Sequence, residues 1–223
     1  MTNIWPVIHL SDHPSLTVSN AEMAARCGCP GVFLIAMNGD DSMIDPAAKL
    51  IRSEVPSLKV GINMLQTGPA DAVRHSIDHG YDATWSDYAW QEDEVRLKHG
   101  HQFFAAVAMK GETYNEPDPE ASAREAVACG FIPMTSGSGT GITAPINKIK
   151  MLRNAIGPDA PLAMSGVNPP HAHLLTPMAT HFLVATCISS DFYTFDETML
   201  QYLAAKTRGA GDVTATNREP YLR

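Results

Sequence analysis

The sequence predicts an α/β fold in which eight parallel strands close into a single (β/α)8 barrel. Three observations carry that expectation. Short apolar runs alternate with segments of helical spacing eight times along the chain, the alternation that produces parallel sheets. The runs are nearly continuous in apolar residues, as strands covered on both faces require. Eight such units fit within about 200 residues, which suits a closed barrel better than an open doubly wound sheet. The open alternative, flavodoxin-like or Rossmann, lacks a G-x-G-x-x-G after the first strand.

Each element has its own signal. Ile4 to Leu10 is the first β-like run, and Ser19-Asn20-Ala21-Glu22 reads as a capping box for a helix that stops at Gly28. Gly31 to Met37 is the second run. Asp45-Pro46 starts the next helix and Pro56 closes it. Leu58 to Leu65 is the third run, followed by a helix from Gly68-Pro69 to Gly80. Tyr81 to Trp85 is a short fourth strand. An acidic turn at Gln91 to Glu94 and a basic end at Lys98-His99-Gly100 predict a helix between them. Gln102 to Met109 is the fifth strand, and Asp118-Pro119 opens a helix to Gly130. Phe131 to Met134 is the sixth strand; after Pro145 the residues Ile146, Ile149, Leu152 and Ile156 recur at helical spacing. Pro161 to Met164 is the seventh strand, with Asn168-Pro169-Pro170 as the next helix start. Phe182 to Ile188 is the eighth, and Asp196 caps a final helix through Leu200 and Leu203. The barrel is assigned to residues 1–208. Residues 209–223 have no apolar period and are read as a C-terminal extension, flexible or used in oligomer contacts.

Bulk properties exclude several classes. Hydrophobic residues make up 44% and charged residues 18% of the 223, an ordinary globular balance. A net charge of -8 and no Lys/Arg cluster argue against nucleic acid as a partner. No apolar run reaches the roughly 20 residues of a membrane span and no signal-peptide pattern opens the chain, so a cytoplasmic protein without membrane insertion is expected. Cys27, Cys29, Cys129 and Cys187 are too scattered for a disulfide framework and are read as buried free thiols.

The stretch with most chemistry is Ser136-Gly137-Ser138-Gly139-Thr140-Gly141, lying between an apolar strand and a helix. Glycines let backbone N–H groups turn inward as an anion nest, and hydroxyls add donors. Ser165 and Gly166 end the seventh strand in the same manner. In a barrel the active site gathers at the C-terminal ends of the strands, which makes His9, Asp12, Asn38, Asp40, Asn63, Asp87 and Lys110 candidates. Asp12, Asp40 and Asp87 are candidate general bases or stabilisers of a cationic sugar transition state. Lys110, at the end of a buried strand, is a phosphate clamp or a Schiff-base nucleophile. His9, Asn38, Asn63, the 136–141 loop, Ser165 and Gly166 are assigned to ligand binding. Trp85, Tyr88 and Trp90 offer planar faces for stacking, or packing. His9, Asp12 and His13 match no metallohydrolase spacing, and His75 and His79 lack the Glu of H-E-x-x-H and are read as surface. No metal and no cofactor are assigned.

Taken together, Val7 to Leu10, Asn38-Gly39-Asp40, Gly61-Ile62-Asn63-Met64-Leu65, Lys110, the 136–141 loop and Ser165-Gly166-Val167 resemble the BtpA/SgcQ family, in order and over about residues 4–205. The resemblance is that of a divergent member. Met37-Asn38 stands for the usual Glu-Asn, Ala106 for an expected Asp, and Ala185-Thr186-Cys187-Ile188-Ser189 for Gly-Thr-Ser-Leu-Lys; the segment after strand four is shorter. It implies a TIM barrel related to phosphate-binding barrels, and either a phosphoribosyl-type enzyme or a factor for photosystem I biogenesis. The expectation is therefore an enzyme for a phosphorylated sugar or nucleotide-like ligand, with pentosyl transfer or hydrolysis as the specific reaction. A non-catalytic assembly or stability factor and a Lys110-dependent aldolase or isomerase are the alternatives, and a homo-oligomer is left open.

Overall fold

In the computed structural model, which describes residues 2–91, 94–111 and 113–208, eight parallel strands close into a barrel in the order of the sequence. The strands are β1 (Asn3–His9), β2 (Gly31–Ile35), β3 (Lys59–Asn63), β4 (Ala83–Ser86), β5 (Gln102–Ala106), β6 (Ile132–Thr135), β7 (Ala163–Ser165) and β8 (His181–Val184). β1 closes the ring by pairing with β8, Ile4 opposite Phe182. Around it lie α1 (Pro14–Arg26), α2 (Ile44–Glu54), α3 (Pro69–Asp78), α4 (Pro119–Ala128), α5 (Ile146–Ile156), the short α6 (Ala172–Leu175) and α7 (Glu197–Thr207). No helix of the described residues is long and apolar enough to cross a membrane. The tail assigned as an extension lies outside the described residues.

Two apolar layers follow from the period-2 geometry of a strand. Trp5, Val7, Phe33, Ile35, Trp85, Phe104, Met134 and Leu183 fill the inside of the ring. Ile4, Ile8, Val32, Leu34, Val60 and Ile62 point outward against the helices. The interior works because large side chains meet small ones. A Cβ on Gly61 would come within 2.5 Å of the Phe33 ring, so only glycine leaves room for it. Phe33 in turn meets Phe104 edge-on at 5.2 Å.

Four elements depart from the sequence reading. Helix α1 begins at Pro14, so Ser19 to Glu22 lie inside it rather than capping it; proline at the first helical position is the stronger start signal. The helix expected after β4 does not form among described residues 94–98, and Glu92 and Asp93 fall outside the described set. Val95 and Leu97 are two apart, a spacing for an extended segment, and both pack against a cluster containing Trp90 and Phe131. β5 stops at Ala106 instead of Met109, because Ala108 takes φ 44 and bends the chain. β8 ends at Val184, and Thr186–Ile188 form a 3-10 turn instead of strand. Cysteine burial also differs in part: Cys27 and Cys29 are buried, Cys187 is half-buried and Cys129 is exposed.

Candidate functional site

The inward face of each strand continues one step past its end, and that step builds the mouth. Trp5 and Val7 point inside, so His9 does too; Ala83 and Trp85 lead to Asp87, and Gly61 leads to Asn63. A cavity of about 460 Å³ opens there, within the range of small-ligand sites. Val7, Ile35, Trp85 and Leu183 form its apolar floor, with Met37 on one rim. Thr140, Gly141, Ser165, Gly166 and Val167 form one wall, Thr186, Cys187 and Ser189 another, and Lys110, His9, Asp191 and Phe192 complete it.

Loops six and seven lock together through one peptide. The carbonyl of Ile142 accepts from Gly137 N at 3.0 Å. A Cβ on Gly137 would stand 2.5 Å from that oxygen, and a Cβ on Gly166 only 2.2 Å. Gly141 and Gly166 both have positive φ, 74 and 71. Among the described residues, their N–H groups donate to no protein acceptor, and both line the cavity. The nest expected over the whole 137–141 run is thus narrower. Gly137 is spent inside the loop, Ser138 is exposed, and Gly139 has neither positive φ nor a near neighbour. Of that run and its neighbour loop, Gly141 and Gly166 are the glycines that present free N–H groups to the cavity.

Lys110 reaches the same wall. Its N–H donates to Ser136 Oγ at 2.9 Å and its ammonium to Thr140 Oγ1 at 3.3 Å. The bend that turns it inward is held at Ala108. Glu116 Oε2 accepts from Ala108 N at 3.0 Å, while the Ala108 carbonyl accepts from Lys148 Nζ and from Thr135 Oγ1. Lys148 also donates to Ser136 O at 2.9 Å, so one half-buried ammonium ties loop five to loop six. Burial pulls its pKa down, against the nearby Glu116 carboxylate.

Asp87 lies one step past the end of β4 and Asn63 at the end of β3, beside the lining residue Trp85 but outside the cavity lining itself. Burial pushes the Asp87 pKa up; the Lys110 charge and the Asn63 amide, 3.4 Å from Oδ2, pull the other way without prevailing. Trp85 also draws on this carboxyl without closing a hydrogen bond, since Asp87 Oδ1 and Trp85 Nε1 are both buried without a partner among the described residues. His9 Nδ1 donates to the Phe192 carbonyl at 2.9 Å, and the two rings pack with centroids 4.4 Å apart and planes tilted by 39°. Burial lowers the His9 pKa, and Lys110 lowers it further against the Phe192 bond.

The remaining assigned residues lie apart. Asp12 is exposed and outside the cavity lining. Asp40 accepts from the N–H and hydroxyl of Ser42 in a turn, and Asn38 Oδ1 accepts from Asp40 N. Tyr88 is exposed and donates to Leu65 O. Trp90 is buried, donating to Ala106 O at 3.2 Å. Of the three aromatics only Trp85 faces the cavity. Sequence reasoning missed the eighth loop. A hairpin paired at Ser189 and Phe195 brings Asp191 and Phe192 over the rim. Asn20, buried in α1, clamps it by donating to Tyr193 O and accepting from Phe195 N. The neighbouring exposed Phe192 and Tyr193 were the available signal. Among the described residues, one group of side chains is close enough to share a metal ion, Asp45, His75 and His79; none of them lines the cavity.

Comparison with known proteins establishes the fold. The sequence matches no family model and no curated protein. Solved barrels are similar at low identity. The 3-hexulose-6-phosphate synthase of Salmonella typhimurium aligns at TM-score 0.68 and 11% identity, over 93% of this chain and 99% of its own. The (S)-3-O-geranylgeranylglyceryl phosphate synthase of Thermoplasma acidophilum, solved with its substrate sn-glycerol-1-phosphate, aligns at 0.63 and 18%, over 92% and 93%. Phosphoribosylanthranilate isomerase of Thermotoga maritima aligns at 0.63 and 12%, over 94% and 100%.

Proposed function

We propose that the chain is an enzyme acting on a small phosphorylated ligand. The phosphate would sit in the cup of Gly141 and Gly166, with Lys110 and the Thr140 hydroxyl as its counterparts. Left-handed glycines presenting N–H groups suit an anion, and the three similar barrels carry phosphate in their names. The observation that carries catalysis is Asp87. A desolvated carboxyl with an unpartnered oxygen is costly in an empty protein; a group so placed is poised to hold or accept a proton from a bound molecule.

The finer reading is pentosyl transfer or hydrolysis. From the phosphate cup the ligand would run past Asp87 and Asn63, where a pentose carbon developing positive charge meets a carboxylate, to Trp85, whose plane suits a flat leaving group. Lys110 acts as an anion clamp, since its ammonium already turns toward Thr140 and the cup. The BtpA-type assembly factor is the competing reading, and it calls for no desolvated carboxyl oxygen beside the mouth.

The test is a thermal-shift and calorimetry panel of sn-glycerol 1-phosphate, ribose 5-phosphate, phosphoribosyl pyrophosphate and nucleoside monophosphates. At least one member should raise the melting temperature, and Lys110→Met should keep the parent's own melting temperature yet lose that rise. Borohydride with aldehyde substrates should trap nothing on Lys110. A panel without any binder overturns the enzyme reading in favour of the assembly factor.

A further inference from the structure

Outside the barrel, between α2 and α3, three side chains converge that the mouth does not use. Asp45 Oδ1 lies 3.0 Å from His75 Nε2, and Asp45 Oδ2 lies 3.5 Å from His79 Nε2. All the donor atoms fall within 4.8 Å of one another. The decisive contact is on the far side of His79, whose Nδ1 is 2.9 Å from the His75 carbonyl. A carbonyl only accepts, so Nδ1 carries a proton, which leaves Nε2 as the ligating nitrogen, facing a carboxylate oxygen. Two acceptors facing each other need a cation between them. A proton on Nε2 satisfies that one pair; a metal ion engages all three groups at once.

We infer that Asp45, His75 and His79 bind a divalent first-row transition ion of the Zn²⁺ class, clipping α2 to α3. Two imidazole nitrogens and one carboxylate are a donor set for such an ion and not for Mg²⁺ or Ca²⁺. Donors about 2.0–2.1 Å from a tetrahedral ion stand about 3.3 Å apart, close to the two separations between Asp45 and the histidines. The supporting contacts are those of a built site. The His75 carbonyl fixes the His79 tautomer, and the Tyr81 hydroxyl donates to Asp45 Oδ1 and orients the carboxylate. Arg52 makes no ion pair with Asp45; it donates to the carbonyls of His79 and Gly80 with its guanidinium over the Tyr81 ring. The three side chains retain 27%, 45% and 41% exposure for His75, His79 and Asp45, which leaves an entry path and room for water as further ligands.

The experiment uses the full chain after chelation and dialysis. Zn²⁺ should bind one per chain by calorimetry, and a hundredfold excess over Kd should raise the melting temperature by about 5–10 °C. Co²⁺ should give a visible absorption band, and Mg²⁺ should do neither. His79→Gln and Asp45→Asn should each weaken Zn²⁺ at least tenfold. The metal-free His79→Gln protein should melt near the parent; if Asp45→Asn unfolds, His79→Gln decides alone. No Zn²⁺ binding below ~100 µM, or binding that His79→Gln leaves unchanged, overturns the inference.

Discussion

Replacing Gly166 with alanine should disable the anion cup, while the same change at Gly139 should not. At Gly166 the backbone is left-handed, φ 71, a conformation that costs an alanine about 1–2 kcal/mol. The added Cβ would lie 2.2 Å from the Ile142 oxygen and 2.7 Å from its carbon. Ordinary C···O contact begins near 3.3 Å, so one backbone must retreat by about 1 Å. Neither atom belongs to a flexible side chain, and the Ile142 oxygen is also tied to Gly137 N. Overpacking of that kind adds about 1–3 kcal/mol, giving roughly 2–5 kcal/mol in all. For a chain of this size that is a melting temperature lower by roughly 5–15 °C. Displacement by 1 Å in a phosphate cup should also weaken a phosphorylated ligand at least tenfold. At Gly139 the nearest heavy atom to a new Cβ is 3.8 Å away and φ is not positive, so Gly139→Ala should sit within about 0.5 kcal/mol of the parent. Urea denaturation and calorimetry with the best binder of the panel read both variants. A Gly166→Ala protein as stable and as tightly binding as the parent, or a Gly139→Ala protein that loses the ligand, refutes this account of the cup.

Three other outcomes are expected. Asp87→Asn should raise the melting temperature of the empty protein at pH 7.5 and raise it less at pH 4, near the ordinary carboxylate value. The folded pKa is raised, so the ionised form weakens the fold once pH exceeds that value; an unchanged or lower melting temperature at both pH values counts against a desolvated Asp87. His181, buried and pushed down to about 4 from 6.5, contributes nothing above pH 6.5 and progressively destabilises as pH falls from 6.5 to 4, by about 3 kcal/mol. Chemical denaturation of His181→Gln beside the parent across that window should show a flatter profile, and parallel profiles would reject this assignment. Lys148→Met removes the donors to Ala108 O and Ser136 O, which should cost about 1–3 kcal/mol and weaken ligand binding through Lys110; a variant that loses neither stability nor affinity would show the tie to be idle.

The barrel was legible because its signals are local. Continuous apolar runs mark doubly covered strands, and proline or glycine marks where helices begin and stop. The mouth was legible to the extent that period 2 carries past a strand end, which is why His9 and Ser165 line the cavity and Asn63 meets Asp87 beside it. Where a residue's role depends on a partner far along the chain, sequence was silent. Asn20 looked like a capping residue, yet its amide holds Phe195, 175 positions away. Among the loop glycines nothing local separates Gly139 from Gly166; the difference is the Ile142 peptide that presses on one of them. The eighth loop was misread because Phe182 to Ile188 is apolar but for Thr186, and only the closing β1–β8 pair fixes where that strand must end.

The unfavourable features of the chain are unevenly distributed, and their distribution bears on function. Among the described residues, the buried side-chain atoms without a hydrogen-bond partner are Trp5 Nε1, Trp85 Nε1, Asp87 Oδ1 and Glu116 Oε1. Three of the four lie in or beside the mouth or in the bend behind it, and the single non-glycine residue with positive φ among the described residues, Ala108, sits in that bend. Each such feature costs of order 1–3 kcal/mol. The bend also has dedicated support, with Glu116 on the Ala108 N–H and Lys148 on its carbonyl. Strain that is held in place by other groups, beside a carboxyl with one oxygen left without a partner, is what a site for ligand chemistry retains. A barrel kept only as an assembly surface has no reason to hold Asp87 desolvated, and relaxing that carboxyl to asparagine would stabilise it at no loss. Asp87→Asn therefore separates the two readings: gained stability with lost turnover marks a catalytic mouth, and gained stability with unaltered function marks a scaffold.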